Sequence, residues 1–463
     1  MRRGNDPQFR ASDHDFEGRG RDGGAFTRQT AQTVLAPALR TRSVAIPGDV
    51  CPGALTTSMT DLLRLVGGLL LLALAAMTAL PAPHAVLWGA SVAATEYGYW
   101  LAIAALLPII PTRQQTRLGR LGALCSVCAI PLLVLPVYRA SLMGAELQKT
   151  FDAEFGTERR ERPPASEAPR LSPIVLQDLM RPLKIPAIRF EERTFASYQG
   201  QTLTLDIYHP AYLHDAIPGV VVIHGGGWQH GDNSEFVALN AYLASRDYVV
   251  AAINYRLAPR WRFPAAAEDV KTAIAYLKGH ASEFPLDPSR LALLGRSEGG
   301  QLALLAAYTA RDPSIRGVIS LYAPSDLTAA YAHPSPALLY DTRGLLERYV
   351  GGPPAREQKA YFAASPINFV TAASPPTLLV HGARDQMVPA EQSARLDDRL
   401  RDAGVKHVFA ELPWATHGCD KSFGGPCGQI TMFAVERFLD AVTIAPPATA
   451  SAARGKHARA ARP

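Results

Sequence analysis

Between Leu62 and Val137 the chain carries three apolar runs in quick succession, Leu62–Ala82, Ala85–Ile110 and Leu121–Val137. The first two are long enough to cross a bilayer as helices, and the third lies at the short end of the workable range of about 17–25 residues. One buried helix of a soluble domain would account for the third run alone, but not for three together. A secretory signal has a single short apolar region, which leaves the second and third runs unexplained. The expectation is a three-helix transmembrane region over residues 61–138. Arg64 stands near the outer end of the first run, where its long side chain can snorkel. Glu96 interrupts the second run: an acid at bilayer depth is a functional candidate, whereas a small shift of register brings it to the interface.

Basic residues supply an orientation. Arg40, Arg42 and Arg64 precede or open the first run, and Arg113, Arg117 and Arg120 separate the second from the third. The first connection, "PAPH", has neither Lys nor Arg. The positive-inside rule then places the N-terminus in the cytoplasm and the C-terminal part outside it, with Arg139 and Lys149 weighing the other way. A net charge of +6 in 463 residues would suggest nucleic acid if it were clustered. Instead many of the basic residues lie in the first 42 positions and in the tail "ARGKHARAARP", with no aromatic-interleaved basic stripe. Residues 1–60 and 444–463 read as disordered basic ends, and no nucleic-acid partner is expected. Met59, just ahead of the first apolar run, is a candidate alternative start.

Residues 139–185, with "ERPPASEAPRLSP", read as a linker or lid. Residues 186–443 then change pattern, with short β-rich runs alternating with helical stretches: "TLTLDIYHP", which alternates, then "GVVVIHGGG", "YVVAAINYRLAP", "AAAEDVKTAIAYLKGHA", "RLALLGRSEGG", "GVISLYAP" and "PTLLVHGARD". Apolar strands separated by helices predict an α/β domain with a mostly parallel sheet covered on both faces.

One segment of that domain carries chemistry. In "LALLGRSEGGQLALLAAYTA" a strand, Leu291–Leu294, runs into Gly295-Arg296-Ser297-Glu298-Gly299 and at once into a helix. A sharp strand-to-helix turn needs small residues beside the serine, and it lifts the hydroxyl to the carboxyl edge of the sheet, over a helix N-terminus. A serine hydroxyl is a weak nucleophile, so a base must take its proton and an acid must orient that base. Asp385 follows the strand in "PPTLLVHGARDQMVP", and His417 follows the next one in "HVFAELPWATHGCD". The order Ser, Asp, His fits a nucleophile-elbow triad. His381, at a strand end before the acid, reads as structural. "HGGG" after Val220–Ile223 lets main-chain amides approach a developing oxyanion without side chains in the way, and the amide of Glu298 would complete the hole. No G-x-G-x-x-G or Gly-Lys-Ser/Thr follows, so a phosphate cradle is not expected.

With these pieces in place, the chain resembles α/β-hydrolases of the hormone-sensitive-lipase-like carboxylesterase class and its feruloyl-esterase and formamidase relatives. "HGGGW" (His224–Trp228), "NYRLAP" (Asn254–Pro259), "FPAAAEDV" (Phe263–Val270), "GRSEGG" (Gly295–Gly300), "HGARDQMVP" (His381–Pro389) and "THG" (Thr416–Gly418) carry the likeness. It implies an α/β-hydrolase fold, with Ser297 as nucleophile, His417 as general acid and base, Asp385 as its carboxylate, and Gly226, Gly227 and the Glu298 amide as oxyanion donors. His224 and Gly225 belong to the same motif. Glu298 stands where the family often has Ala, and Asn254 and Arg260 flank "YRLAP" where it often has acids.

Among the cysteines, Cys125 and Cys128 lie in an apolar run without further ligands and read as packing. Cys419 and Cys427 flank "DKSFGGP" behind His417, and a disulfide between them suits an extracytoplasmic domain. No metal or cofactor site is expected. The function expected is that of a membrane-anchored serine hydrolase of small-molecule or lipid carboxylic esters. An amidase, formamidase or peptidase with the same triad, and a catalytically silent membrane binding protein, are the alternatives. The segment from Ser325 to Ala373, with "YDTRGLLERYVGG", is the candidate cap that would set pocket depth.

Overall fold

The computed structural model describes residues 52–111, 116–157, 172–181, 188, 190–210 and 216–444, with side chains from Met59 onward. The two basic ends expected to be disordered, but for residues 52–60 and 444, and the proline-rich core of the expected linker lie outside the described residues. Four helices come first: α1 (Pro52–Ala76), α2 (Ala85–Glu96), α3 (Gly98–Ala104) and α4 (Arg117–Phe155). Among the described residues α1 and α4 are long and apolar enough to cross a membrane, and the bent pair formed by α2 with Gly98–Ile109 is a third candidate.

Small residues let α1 and α4 lie backbone to backbone, as in packed membrane helices. A Cβ on Gly68 would come within 2.2 Å of the Gly122 carbonyl oxygen, and one on Gly122 within 2.3 Å of the Arg64 carbonyl oxygen. At one end Asp61 accepts the Thr116 N–H at 2.9 Å, and toward the other Thr78 Oγ1 donates to the Leu132 carbonyl at 3.4 Å. The two helices therefore run in the same direction, and the segment between them must return. Its first half does not descend: Ser91 Oγ donates to the Met77 carbonyl at 2.8 Å, and Gly98 packs on the backbone of Leu133. Only α3 and the turn Leu107–Ile109 run back to where Arg64 meets the carbonyl of Ile110.

Three expectations change here. The run Ala85–Ile110 is not one straight helix but two that meet at 78°. The bend falls at Glu96, whose Oε2 accepts the backbone N–H of Cys427 at 3.0 Å, drawing the end of α2 onto the C-terminal domain. The first run stops being helical at Ala76 rather than Ala82. Finally, residues 139–155 are not linker or lid, because α4 continues through Pro131 and Pro136 to Phe155. Its later turns bury Ala140, Leu147 and Phe151 against the C-terminal domain. A short helix, α5 (Leu176–Met180), follows.

The C-terminal domain is built on eight strands, β1 (Phe190–Tyr198), β2 (Gln201–Tyr208), β3 (Ile217–Ile223), β4 (Val249–Ile253), β5 (Leu286–Arg296), β6 (Ile315–Leu321), β7 (Thr377–Gly382) and β8 (His407–Leu412). They lie in the order β1-β2-β4-β3-β5-β6-β7-β8. β1 and β2 form an antiparallel hairpin, β2 joins β4 antiparallel, and every later pairing is parallel. The helices between and after them are α6 (Val237–Ala244), α7 (Ala265–Gly279), α8 (Glu298–Ala310), α9 (Leu327–Ala332), α10 (Thr342–Val350), α11 (Pro354–Ala364), α12 (Glu391–Asp402) and α13 (Pro426–Thr443).

The period-2 alternation of a strand sends neighbouring side chains to opposite faces, so a sheet covered on both faces reads as continuously apolar. In β3, Val221 and Ile223 join one core layer with α7, α8 and α12, whereas Val220 and Val222 join the other with α6, α13 and the end of α4. β5 lies between β3 and β6, with Leu291–Leu294 fully buried. Whatever follows β5 is thus held by a rigid central element at the carboxyl edge of the sheet.

Candidate active site

Ser297 occupies the single residue between β5 and α8, with φ 53° and ψ −127°. A positive φ at a residue bearing a Cβ costs of order 1–3 kcal/mol and persists only where its surroundings hold it. The Ser297 N–H donates to the Leu321 carbonyl at 2.8 Å, which ties the turn to β6. The flanking glycines are needed for close approach: a Cβ on Gly295 would meet the Gly299 carbonyl oxygen at 2.1 Å, and one on Gly299 would meet the Ile223 and His224 carbonyl oxygens at 2.3 Å. Thus "GRSEGG" both makes the turn and lets it pack beneath the loop after β3.

The turns after β7 and β8 bring the other two residues to the same edge. His417 Nε2 lies 3.0 Å from Ser297 Oγ, and His417 Nδ1 lies 2.6 Å from Asp385 Oδ2. The remaining oxygen of Asp385 accepts the N–H groups of Met387 and Val388, both at 2.9 Å. Burial would push this carboxyl up, but His417 and His381 beside it hold it down at about 2. For His417, burial alone would favour the neutral ring. The Asp385 charge and hydrogen bond, with Glu298 and Asp420 behind them, carry its pKa above the ordinary histidine value. His381 is fully buried between Ser393 Oγ at 2.7 Å and the Val388 carbonyl at 2.8 Å, 3.3 Å from Asp385. It braces the acid loop rather than facing Ser297.

In the loop after β3, Gly226 and Gly227 have φ of 118° and 66°. A Cβ on Gly226 would lie 2.2 Å from the His230 carbonyl oxygen. His224 turns away from the reaction centre, with Nδ1 2.7 Å from the Gly225 carbonyl oxygen and its ring stacked on Tyr255 at 4.2 Å. Burial lowers its pKa to about 4, so it is neutral. Gly227 N–H points at the side chain of Glu298, whose Oε1 accepts it. Burial raises the pKa of that carboxyl, while the Ser297 hydroxyl, its own amide, His417 and the Gly227 amide favour the ionised form. Burial wins, holding the pKa above the ordinary carboxyl value, and the Glu298 side chain occupies a donor, the Gly227 N–H, that the sequence pattern assigns to an oxyanion. A small apolar pocket opens beside it, lined by Trp228, Ser297, Tyr340, Leu345, Leu346 and Met387. Residues from the loop before α10 and from α10 itself supply one wall, as expected of a cap.

Several supporting residues were not singled out from the sequence. Asp420 accepts the guanidinium of Arg296 and the Tyr322 hydroxyl, the latter at 2.6 Å, while the Tyr322 ring packs edge-on to His417 at 4.6 Å. In the same loop lies the pair that the sequence did single out, Cys419 and Cys427, joined by a disulfide. Asp269 of "FPAAAEDV" receives the backbone N–H of Arg256 at 2.8 Å and its guanidinium at 2.7 Å, which explains why that segment accompanies "NYRLAP". The signal for this pair was its charge complementarity within two motifs. For Asp420 the sequence offered none. No group of three or more His, Cys, Asp or Glu suited to a metal occurs among the described residues.

An elbow serine over a helix, a histidine between it and a buried acid, and a glycine loop opposite, on a mostly parallel sheet, define an α/β-hydrolase. The BD-FAE family matches residues 205–400. Over 235 residues the chain is 32% identical to the ethyl acetate hydrolase of Pseudomonas putida, which covers 47% of this chain and 71% of that one. It is 34% identical over 256 residues to the probable carboxylic ester hydrolase LipM of Mycobacterium tuberculosis, covering 52% and 58% of the two chains. The chain thus spans little more than half the length of LipM. Among solved structures, the bacterial heroin esterase shares the fold with a TM-score of 0.50 and 22% identity, over 57% of this chain and 88% of that one. The chain belongs to the α/β-hydrolase esterases.

Proposed function

We propose that this chain is a membrane-anchored serine hydrolase that cleaves carboxylic esters through Ser297, His417 and Asp385. The observation that carries this reading is the bridge of His417, 3.0 Å from Ser297 Oγ and 2.6 Å from Asp385 Oδ2. In the reaction, Ser297 Oγ attacks the acyl carbon as His417 Nε2 takes its proton. The carbonyl oxygen becomes an oxyanion facing the amides of Gly226 and Glu298, joined by that of Gly227 once the Glu298 side chain releases it. Collapse breaks the bond to the alcohol, which leaves with the proton from His417. Water, activated by the same imidazole, then hydrolyses the acyl-enzyme and restores Ser297. Asp385 holds the imidazole tautomer and stabilises its charged form.

Membrane anchoring is supported by the exposed apolar surface of the first helices, where Leu63 is 64%, Leu70 60% and Leu107 67% exposed. A soluble domain rarely leaves such a contiguous apolar surface in water. The parallel course of α1 and α4 supports three crossings, the middle one broken at Glu96. The N-terminus would be cytoplasmic and the catalytic domain extracytoplasmic. Initial rates on p-nitrophenyl esters of two to sixteen carbons, with a Ser297→Ala control, test the activity. A rate abolished by the substitution is expected, with the optimum length reporting the acyl pocket. Hydrolysis that survives Ser297→Ala would reject the triad.

A further inference from the structure

The catalytic acid stands between two side chains that do not face the site. Arg384 and Gln386, on either side of Asp385, both reach the turn that joins α1 to α2. The Arg384 guanidinium donates to the carbonyls of Met77 at 3.1 Å, Thr78 at 2.5 Å and Leu80 at 2.6 Å. Gln386 pairs with both backbone groups of Ala82, accepting its N–H at 2.7 Å and donating to its carbonyl at 3.1 Å. Four of these five bonds satisfy carbonyls of the turn just beyond α1, near a helix end where a cation is also favoured by the dipole, and the fifth satisfies the Ala82 N–H. Residues 77–82 lie outside the stretch matched by the family, 205–400. The partners of Arg384 and Gln386 therefore belong to the N-terminal helices and not to the family-matched stretch.

The loop they hold sets where the acid points. One oxygen of Asp385 is held by the Met387 and Val388 amides, immediately beyond Gln386, and the other faces His417. A second tie runs to the histidine loop, where Glu96 at the end of α2 accepts the N–H of Cys427, half of the disulfide that closes the loop behind His417. Resting on the triad reading above, we propose that Arg384 and Gln386 are positioning residues that register the catalytic acid to the apolar N-terminal helices. The esterase then works at full rate only with the α1–α2 turn docked. A group misplaced by about 1 Å can cost roughly 100-fold in rate, so so small a clamp can have a large effect.

The test is steady-state hydrolysis of p-nitrophenyl butyrate against pH by the full chain in lipid nanodiscs. Wild type, Arg384→Ala, Arg384→Lys, Gln386→Ala and Ser297→Ala are compared, with thermal melting in the same discs. Arg384→Ala is expected to lower kcat by about 10-fold or more, as expected of a misplaced catalytic group, with KM little changed. The acid limb is expected to move to lower pH as Asp385 loosens its hold on the His417 imidazolium. The other charges facing that ring, Glu298 and Asp420 with its partner Arg296, are untouched. Arg384→Lys, which keeps a donor but not the fork, is expected to recover part of kcat. Gln386→Ala leaves the arginine's bonds in place and is expected to give a smaller loss of the same kind, which keeps the test decisive if Arg384→Ala does not fold. Folded Arg384→Ala and Gln386→Ala proteins with unchanged kcat and acid limb would overturn the proposal, as would a rise in KM alone. Activity retained by Ser297→Ala would instead remove the triad reading beneath it.

Discussion

Glu298 is the residue whose chemistry departs furthest from what its neighbours require. Its backbone amide is assigned to the oxyanion, yet its side chain accepts the Gly227 N–H that should do the same work. Two effects can be separated by substitution. The carboxylate charge helps to raise the His417 pKa, and activity needs neutral His417, so removing the charge moves the acid limb of kcat/KM to lower pH. Glu298→Gln removes the charge but keeps an oxygen able to accept the Gly227 N–H. Glu298→Ala removes both, so it alone also frees the donor, and kcat should rise within the roughly 100-fold that one oxyanion donor is worth. Both variants showing the wild-type acid limb would mean that the carboxyl is already neutral in the working enzyme. The closeness of Ser297, Asp385 and His417 was legible in the sequence because all three stand just after strands, where local pattern and chain order place them at one sheet edge. The Glu298 side chain was not, because its partner is an amide 71 residues away.

The same distinction between near and distant causes holds for whole elements. β3 to β7 were legible as short apolar runs because burial on both faces writes itself into consecutive residues, whereas β2 and β8 carry the alternation of strands with one face more exposed. The break in the second apolar run was not, since the Cys427 amide that holds Glu96 is 331 residues away. The later half of α4 is a different case, because its signal was present. Ala140, Gly144, Leu147 and Phe151 are buried at spacings of a single helical stripe, but charged residues on the outer face and the prolines that follow drew the boundary too early. This stripe gives a direct expectation. Phe151 is 4% exposed, and its ring lies 6.2 Å from that of Phe155, which in turn meets Phe438 edge-on at 5.9 Å. Phe151→Ala should cost about 3–5 kcal/mol, the usual range for emptying such a site. Lys149→Ala, on the exposed face of the same helix, should stay within about 0.5 kcal/mol. Denaturant melts of the solubilised protein would compare them, and equal midpoints would show that this half of α4 does not pack on the sheet.

At the scale of the molecule, the membrane anchor proposed above would make the helices and the C-terminal domain constrain each other's side of the bilayer. The α1–α2 turn touches the acid loop, and the end of α4 is buried in the catalytic core, so both must lie on the domain's side. The start of α4 meets the start of α1, so both lie on the opposite side, together with Arg64, Arg117 and Arg120. Basic residues prefer the cytoplasmic side, and a disulfide in the histidine loop suits an oxidising compartment. Charge distribution and cysteine chemistry thus point to the same orientation from independent physics. Single cysteines at His84 and Pro111, introduced after replacing Cys51, Cys125 and Cys128, would report it with a membrane-impermeant maleimide on intact cells. Position 84 should label from outside and position 111 only after lysis, with Cys419 and Cys427 unreactive until reduced. The reverse pattern would place the catalytic domain in the cytoplasm, where reducing conditions would leave those two thiols free and the clamp on His417 would rest on Asp420 and Tyr322 alone.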